Sequence, residues 1–292
     1  MAECVSVRGV PRWVNILAVM SMLAIAAGPA DAQAPLARGK YLVETIMGCG
    51  NCHTPRGPDG PRMELALAGG NVVESNPAFT AIAPNITPDR ETGIGGWTDD
   101  QLFLAIREGR RPDGSLIGPP MPFGQYRNLA DADVRAVIAY LRTVPALRNV
   151  AAKSTYHIQL PPAYGPPVGH IDVPPQGDKR AYGAYLAGPL GHCMECHTPL
   201  MDGGRRDMTR LGAGGQAFNG PWGTSVAANL TPSKARGLGD WTDAQIERAI
   251  RTGVSADGRK LFPPMGFTFY RGIAADDMAA LIGFLRSLPP QD

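Results

Sequence analysis

Cys49-Gly50-Asn51-Cys52-His53 stands early in the chain, and Cys193-Met194-Glu195-Cys196-His197 stands 144 positions further on. The same offset carries Gly39 and Tyr41-Leu42 onto Gly183 and Tyr185-Leu186, and Thr54-Pro55 onto Thr198-Pro199. It carries Asn85 with Thr87-Pro88 onto Asn229 with Thr231-Pro232, and Trp97-Thr98-Asp99 onto Trp241-Thr242-Asp243. Asp113-Gly114 meets Asp257-Gly258, and Pro119-Pro120-Met121 meets Pro263-Pro264-Met265. No gap is needed in any of these matches, so the chain is one unit written twice.

The repeat sets the expected domains: residues 33–146, a proline-rich linker at 147–178, and residues 179–292. Pro161-Pro162, Pro166-Pro167 and Pro174-Pro175 give the linker an extended, semi-rigid character. It reads as a spacer that sets domain geometry, or as a segment packed along one domain. Residues 1–32 read as an export signal. Arg8 and Arg12 precede a mostly apolar stretch from Trp13 to Gly28, and Ala30-Asp31-Ala32 offers a small-x-small cleavage pattern. A retained anchor is the competing reading, but the stretch is shorter than the roughly 20 residues a bilayer requires. Cys4 would leave with the signal and is assigned no role.

Each domain predicts three helices. The first, near Leu36–Met47, runs directly into the Cys pair. The second opens with Thr98 and Gln101, matched by Thr242 and Gln245, a reciprocal cap of hydroxyl and amide. The third shows Val134, Val137, Ile138 and Leu141, matched by Met278, Leu281, Ile282 and Leu285, a single apolar stripe. Ala130 and Ala274 stand where this helix would want a capping hydroxyl. No strand signal is of comparable strength. Gly (36) and Pro (28) are abundant, and long loops between short helices are unusual unless something non-protein organises them.

Cys-x-x-Cys-His is the attachment signature of c-type haem. Cys49 and Cys52, and likewise Cys193 and Cys196, are one helical turn apart, so two thiols can reach the two vinyl groups on one porphyrin edge. His53 and His197 then offer their imidazoles to the iron. A redox-active dithiol would need a βαβ setting, and a four-Cys zinc site would need its pairs about 15–20 residues apart rather than 141. A local disulfide would not call for a His in both copies. The expectation is two covalently bound haem c.

The sixth ligands are read as Met121 and Met265, each 68 positions after its His and each following a proline pair that limits loop freedom. A Met is more often core packing than a ligand. Met47, Met63, Met194, Met201 and Met208 have no Met partner at the repeat offset, and these two do. His157, His170 and His192 lack repeat partners and read as structural or surface residues. His/Met ligation fills both axial positions and suits electron transfer rather than peroxide chemistry. No catalytic residue emerges. Removing the signal takes two charges of each sign, so the net charge stays +2, against a nucleic-acid partner or a polybasic membrane patch.

Both halves resemble the small helical class I cytochrome c fold. More narrowly, they resemble the cytochrome c subunits of periplasmic alcohol, aldehyde, gluconate and related dehydrogenases. The resemblance rests on Gly39-Lys40-Tyr41-Leu42, Cys49 to Pro55, Asn85-Ile86-Thr87-Pro88, Gly93-Ile94-Gly95-Gly96-Trp97 and Ala139-Tyr140-Leu141-Arg142. It implies an all-α, loop-rich chain of two tandem domains, each wrapped around one haem. It further implies a periplasmic dihaem carrier, soluble or loosely membrane-associated, taking electrons from a dehydrogenase and passing them to another cytochrome or a terminal oxidase. Two other readings stand beside it: a dihaem peroxidase or thiosulfate-oxidising enzyme, and an obligate subunit of a membrane dehydrogenase complex.

Overall fold

The computed structural model describes residues 1–3, 29–58, 60–202, 204–220 and 222–292. Most of the expected signal, Cys4 included, lies outside these. Among the described residues no helix is long and apolar enough to cross a membrane. The first half runs α1 (Pro29–Tyr41), a wider π-type turn (Leu42–Ile46), α2 (Cys49–His53), α3 (Asp99–Glu108), α4 (Phe123–Tyr126) and α5 (Asp131–Leu141). The second half runs α6 (Lys179–Tyr185), a π-type turn (Leu186–Leu190), α7 (Cys193–Cys196), α8 (Asp243–Thr252), α9 (Phe267–Tyr270) and α10 (Ala275–Arg286). The first helix leads toward the Cys pair as expected, widening for one turn in both halves; Pro189 is not the cause, since the first half does so without a proline.

The capping boxes form as the sequence predicts. Thr98 accepts from Gln101 N and Thr242 from Gln245 N, while each Gln side chain accepts from the backbone of its Thr. The third-helix stripes are buried in both halves, each apolar side chain contributing about 1.5–3 kcal/mol of transfer free energy. The N- and C-terminal helices of each half cross at close range. A Cβ on Gly39 would stand 1.9 Å from the Ala136 carbonyl oxygen, and one on Gly183 2.1 Å from that of Ala280. Only glycine permits this approach.

Helices and loops dominate, yet the chain is not all-α. Strand β1 (Arg56–Gly57) pairs with β2 (Gly60–Pro61). Strand β3 (Val72–Ser75) pairs antiparallel with β4 (Phe79–Ile82), and β4 pairs with β5 (Thr155–Tyr156). In the second half β6 (Ala217–Gly220) and β7 (Gly223–Val226) form a hairpin. Four residues give only two side chains per face, too few for a readable alternation. Strand β5 comes from the linker, which therefore packs along the first domain rather than standing free as a spacer. Tyr164 stacks on Phe123 with ring centroids 4.8 Å apart, and Val168 N donates to Glu108. Buried Arg107 donates to Asp131 and to the Gly169 carbonyl.

The two halves meet through a pseudo-symmetric pair of contacts. Tyr185 donates to Asp133 at 2.8 Å and accepts from Ala130 N at 3.0 Å. Its repeat counterpart Tyr41 makes the same two bonds to Asp277 and Ala274 N. The N–H groups of the two alanines that precede α5 and α10 are thus each bonded by a hydroxyl from the opposite domain. Leu42, Leu186, Val134 and Met278 belong to one continuous core that spans both halves.

Candidate haem-attachment and ligand site

Glycine starts the first attachment segment. Gly48 caps α2 in the left-handed region (φ 56°), turning the chain from the π-type turn into Cys49. His192 takes the same role before α7 at φ 41°, a conformation that costs a non-glycine residue free energy. Cys49, Cys52, Cys193 and Cys196 are free and half-buried. Burial pushes the Cys49 and Cys193 thiols up to about 12 and those of Cys52 and Cys196 up to about 11. Reactive dithiols need the opposite shift, so these are neutral thiols rather than thiolates.

The imidazoles are oriented identically. His53 Nδ1 donates to the Pro84 carbonyl at 2.9 Å, and His197 Nδ1 to that of Ala228 at 2.7 Å. With Nδ1 carrying the proton, Nε2 has the lone pair, and it bonds to no described residue. Burial lowers the proton affinity of both rings, keeping them in the neutral form that a metal ligand requires. The carbonyl acceptors are fixed in turn. Asn85 Oδ1 accepts from Thr87 N and Oγ1, while its Nδ2 donates to the Leu147 carbonyl. Asn229 repeats this with Thr231 and the Gln291 carbonyl. A neutral imidazole with one free, oriented nitrogen beside two thiols fits a covalent haem.

Met121 and Met265 are half-buried against the common core, as are Cys49 and Cys193. Met63, Met201 and Met208 are instead 64%, 43% and 64% exposed, and Met47 and Met194 are sealed within the core. The loops carrying the two candidate sulfurs are supported differently. Tyr156 of the linker donates to the Pro119 carbonyl at 2.9 Å, and Tyr164 to that of Ile117 at 2.7 Å. In the second half Ser225 donates to the Pro263 carbonyl at 2.6 Å, and Asn51 of the first half to that of Pro264 at 3.2 Å.

Of the histidines without a repeat partner, His170 is exposed and bridges Asp131 and Asp172, and His157 lies exposed beside β5. His192 meets the Tyr126 ring edge-on across the domain boundary. Sequence reasoning passed over Tyr126 and Tyr270, although the 144-residue offset relates them. Both are buried, and burial raises both phenols, with cysteines of the attachment segments nearby adding to the effect. The two attachment segments thus face one shared boundary. Glu195 bonds to Arg206 at 3.1 Å. An open groove of about 520 Å³ follows His197, edged by Arg210 and Arg236, whose first-half counterparts are Ala66 and Thr92.

The cytochrome c family model matches residues 36–145 and again residues 181–289. The chain is 33% identical over 223 residues to a dihaem c-type cytochrome of Cereibacter sphaeroides, covering 72% of this chain and 71% of that protein. It is 30% identical over 276 residues to the fructose dehydrogenase cytochrome subunit of Gluconobacter japonicus, covering 89% of this chain and 54% of that one. It is also 30% identical over 297 residues to the cytochrome c subunit of the quinone alcohol dehydrogenase of Gluconobacter oxydans, covering 94% and 60%. The chain therefore spans little more than half the length of these two dehydrogenase subunits. It belongs to the cytochrome c family. Two such domains carry two covalently bound haem c groups.

Proposed function

We propose that this chain relays electrons from a periplasmic dehydrogenase, through its two haems, to a downstream cytochrome or terminal oxidase. The observation that carries this is the duplicated set of a free, half-buried Cys pair, a His held through its Nδ1, and a half-buried Met on a braced loop. Haem supplies reversible one-electron chemistry at its iron. Cys49 and Cys52, and Cys193 and Cys196, would hold the two haems covalently through their sulfurs. His53 and Met121 would serve one iron, and His197 and Met265 the other. Two protein ligands per iron would leave no open place for a substrate, which favours transfer over turnover.

The names of the relatives support a dehydrogenase as donor. They also favour service as a bound subunit, since two are cytochrome subunits of dehydrogenases. Export to the periplasm is read from the leader pattern in residues 1–32. The experiment is an intact-mass and reductive titration of the purified protein. A chain starting near Gln33 that carries two haem masses and takes up two electrons is expected, with hydrogen peroxide left unconsumed. One haem, or steady peroxide turnover, overturns the reading in favour of a redox enzyme. In the second half, Met265→Ala halves the weak sulfur-to-iron charge-transfer band, whereas Met208→Ala leaves it intact.

A further inference from the structure

The two ligand-bearing loops are built alike but held by different parts of the molecule. In each half a Pro-Pro-Met segment leads into a short helix, α4 or α9. The first such loop is braced from the linker, through Tyr156 on the Pro119 carbonyl and Tyr164 on the Ile117 carbonyl. The second receives one brace from its own domain, Ser225 on the Pro263 carbonyl. Its other brace comes from the opposite domain. Asn51, between the two cysteines of the first attachment segment, donates its amide to the carbonyl of Pro264, the residue immediately before Met265.

Three further contacts make this a formed junction. Arg56 donates to Asn51 Oδ1 at 3.0 Å, which fixes the amide so that its NH2 faces Pro264. A Cβ built on Gly266 would lie 3.7 Å from Asn51 Nδ2, so the backbone on the far side of Met265 touches the same side chain. The Phe269 ring of α9 covers the first attachment segment closely enough that a Cβ on Gly50 would stand 3.0 Å from it. The reverse junction is close but lacks the bond to the ligand loop. The counterpart of Asn51 is Glu195, which is held by Arg206 and lies 3.8 Å from a Cβ built on Gly124 of α4, yet the Pro120 carbonyl receives no side-chain bond among the described residues. Gly50 is replaced by Met194, and Phe269 by Gln125.

We propose that Asn51 is a positioning residue for the axial Met265 of the other domain, so that sulfur ligation at the second haem depends on the docked first attachment segment. The inference rests on Met265 being the sixth ligand. A thioether is a weak ligand, and its occupancy at the iron depends on how far the loop is held in place before it binds. The amide removes freedom from the peptide adjoining the ligand. Its anchor is a residue flanked by Cys49 and Cys52, both tied to the first haem. Displacement at one haem edge is thereby transmitted to the ligand of the other iron. The first haem has no equivalent dependence, because its loop is held by the linker.

The test uses the full holoprotein in a Met121→Ala background, where only the second haem contributes the sulfur-to-iron band. Asn51→Asp keeps the shape and the acceptor for Arg56 but loses the donor. Asn51→Gln keeps an amide donor on a longer arm. Cyanide binding to the second iron is measured together with the band. Asn51→Asp is expected to speed cyanide entry about 3- to 10-fold, the worth of one hydrogen bond, and to lower the temperature at which the band disappears. Asn51→Gln restores part of the effect. Tyr156→Phe, in a Met265→Ala background, produces the matching change at the first haem. If Met265→Ala itself leaves the band unchanged, the ligand reading fails. If it removes the band but Asn51→Asp matches the parent in both measurements, the positioning role is overturned.

Discussion

Tyr41 donates its hydroxyl to Asp277, 236 positions away in the other half of the chain, at 2.7 Å. The bond has an exact repeat counterpart in Tyr185 and Asp133, but the two carboxylates are not equally provided for. Asp133 is also held by Arg38 through two bonds, at 2.8 and 3.0 Å, whereas Asp277 has Tyr41 as its side-chain partner among the described residues. The position equivalent to Arg38 is Tyr182. A symmetric interface therefore carries an asymmetric electrostatic load.

Tyr41→Phe should consequently destabilise the protein more than Tyr185→Phe. Each removes one donor to a buried carboxylate; Tyr185→Phe also leaves the buried Ala130 N–H unpaired, a loss of about 1–3 kcal/mol, whereas Ala274 is exposed and its N–H turns to water. Tyr41→Phe instead strands a charged carboxylate with no arginine beside it, the costlier loss. Denaturant unfolding of the two holoprotein variants ranks them, and equal or inverted losses would contradict the asymmetry.

Gly39→Ala should cost about 1–3 kcal/mol or prevent folding, because its methyl would enter the Ala136 carbonyl and helix α1 would have to move off α5. Gly283→Ala, on an open face of α10 with nothing near its Cβ, is the comparison. It should be neutral or stabilising, since alanine is the better helix former. Thermal unfolding of both variants checks the contrast.

The linker clamp should weaken with rising pH. His170 has its proton affinity raised by hydrogen bonds to Asp131 and Asp172, with their charges assisting and Arg107 on the far side of Asp131. Its folded value exceeds the unfolded one, so the contribution is complete below about pH 6.5 and is lost as pH rises through the folded value. NMR titration of the ring should give a midpoint above that of a free histidine. Amide exchange near Ile171 should quicken across the same range, and His170→Ala should remove this pH dependence. A ring titrating below 6.5 would reject the clamp.

The two haems should differ in reduction potential although the proposed axial ligands match. Glu195 lies between Cys193 and Cys196, where Asn51 lies in the first segment, and its charge should lower the second potential. The structure adds Arg206 against that carboxylate, with Arg210 and Arg236 beside the following segment. Removing one charge at about 10 Å in an effective dielectric near 20 changes the energy by about 1.5 kcal/mol, some tens of millivolts. Glu195→Gln should raise the second wave by that order, and Arg206→Gln should lower it. A single wave in the parent protein, or a second wave unmoved in both variants, would refute the assignment.

The duplication, both attachment segments, the capping boxes and the third-helix stripes were legible in the residues alone, as were the four axial-ligand candidates His53, Met121, His197 and Met265. Those features are local. Cys-x-x-Cys-His, Thr98 with Gln101, and Val134 to Leu141 depend on residues within two helical turns, so covalent spacing decides which side chains share a face. Even Met121 and Met265, far from their histidines, were marked by register between the two copies. Ala130 and Ala274 were visible as helix starts without a cap, but nothing nearby announced what would replace it.

Only the tertiary structure supplied partners for these alanines' own N–H groups: the hydroxyls of Tyr185 and Tyr41 from the opposite domain. It also placed the linker on the first domain, added β5 to a sheet that four-residue strands could not advertise, and brought Asn51 to Pro264. These pairings join residues tens to hundreds of positions apart. A tyrosine hydroxyl or an asparagine amide can satisfy many partners, and sequence does not distinguish among them. The choice is made when Gly39 and Gly183 let the terminal helices close and the common core brings the two halves together, because only then do particular donors and acceptors lose water and have to find each other.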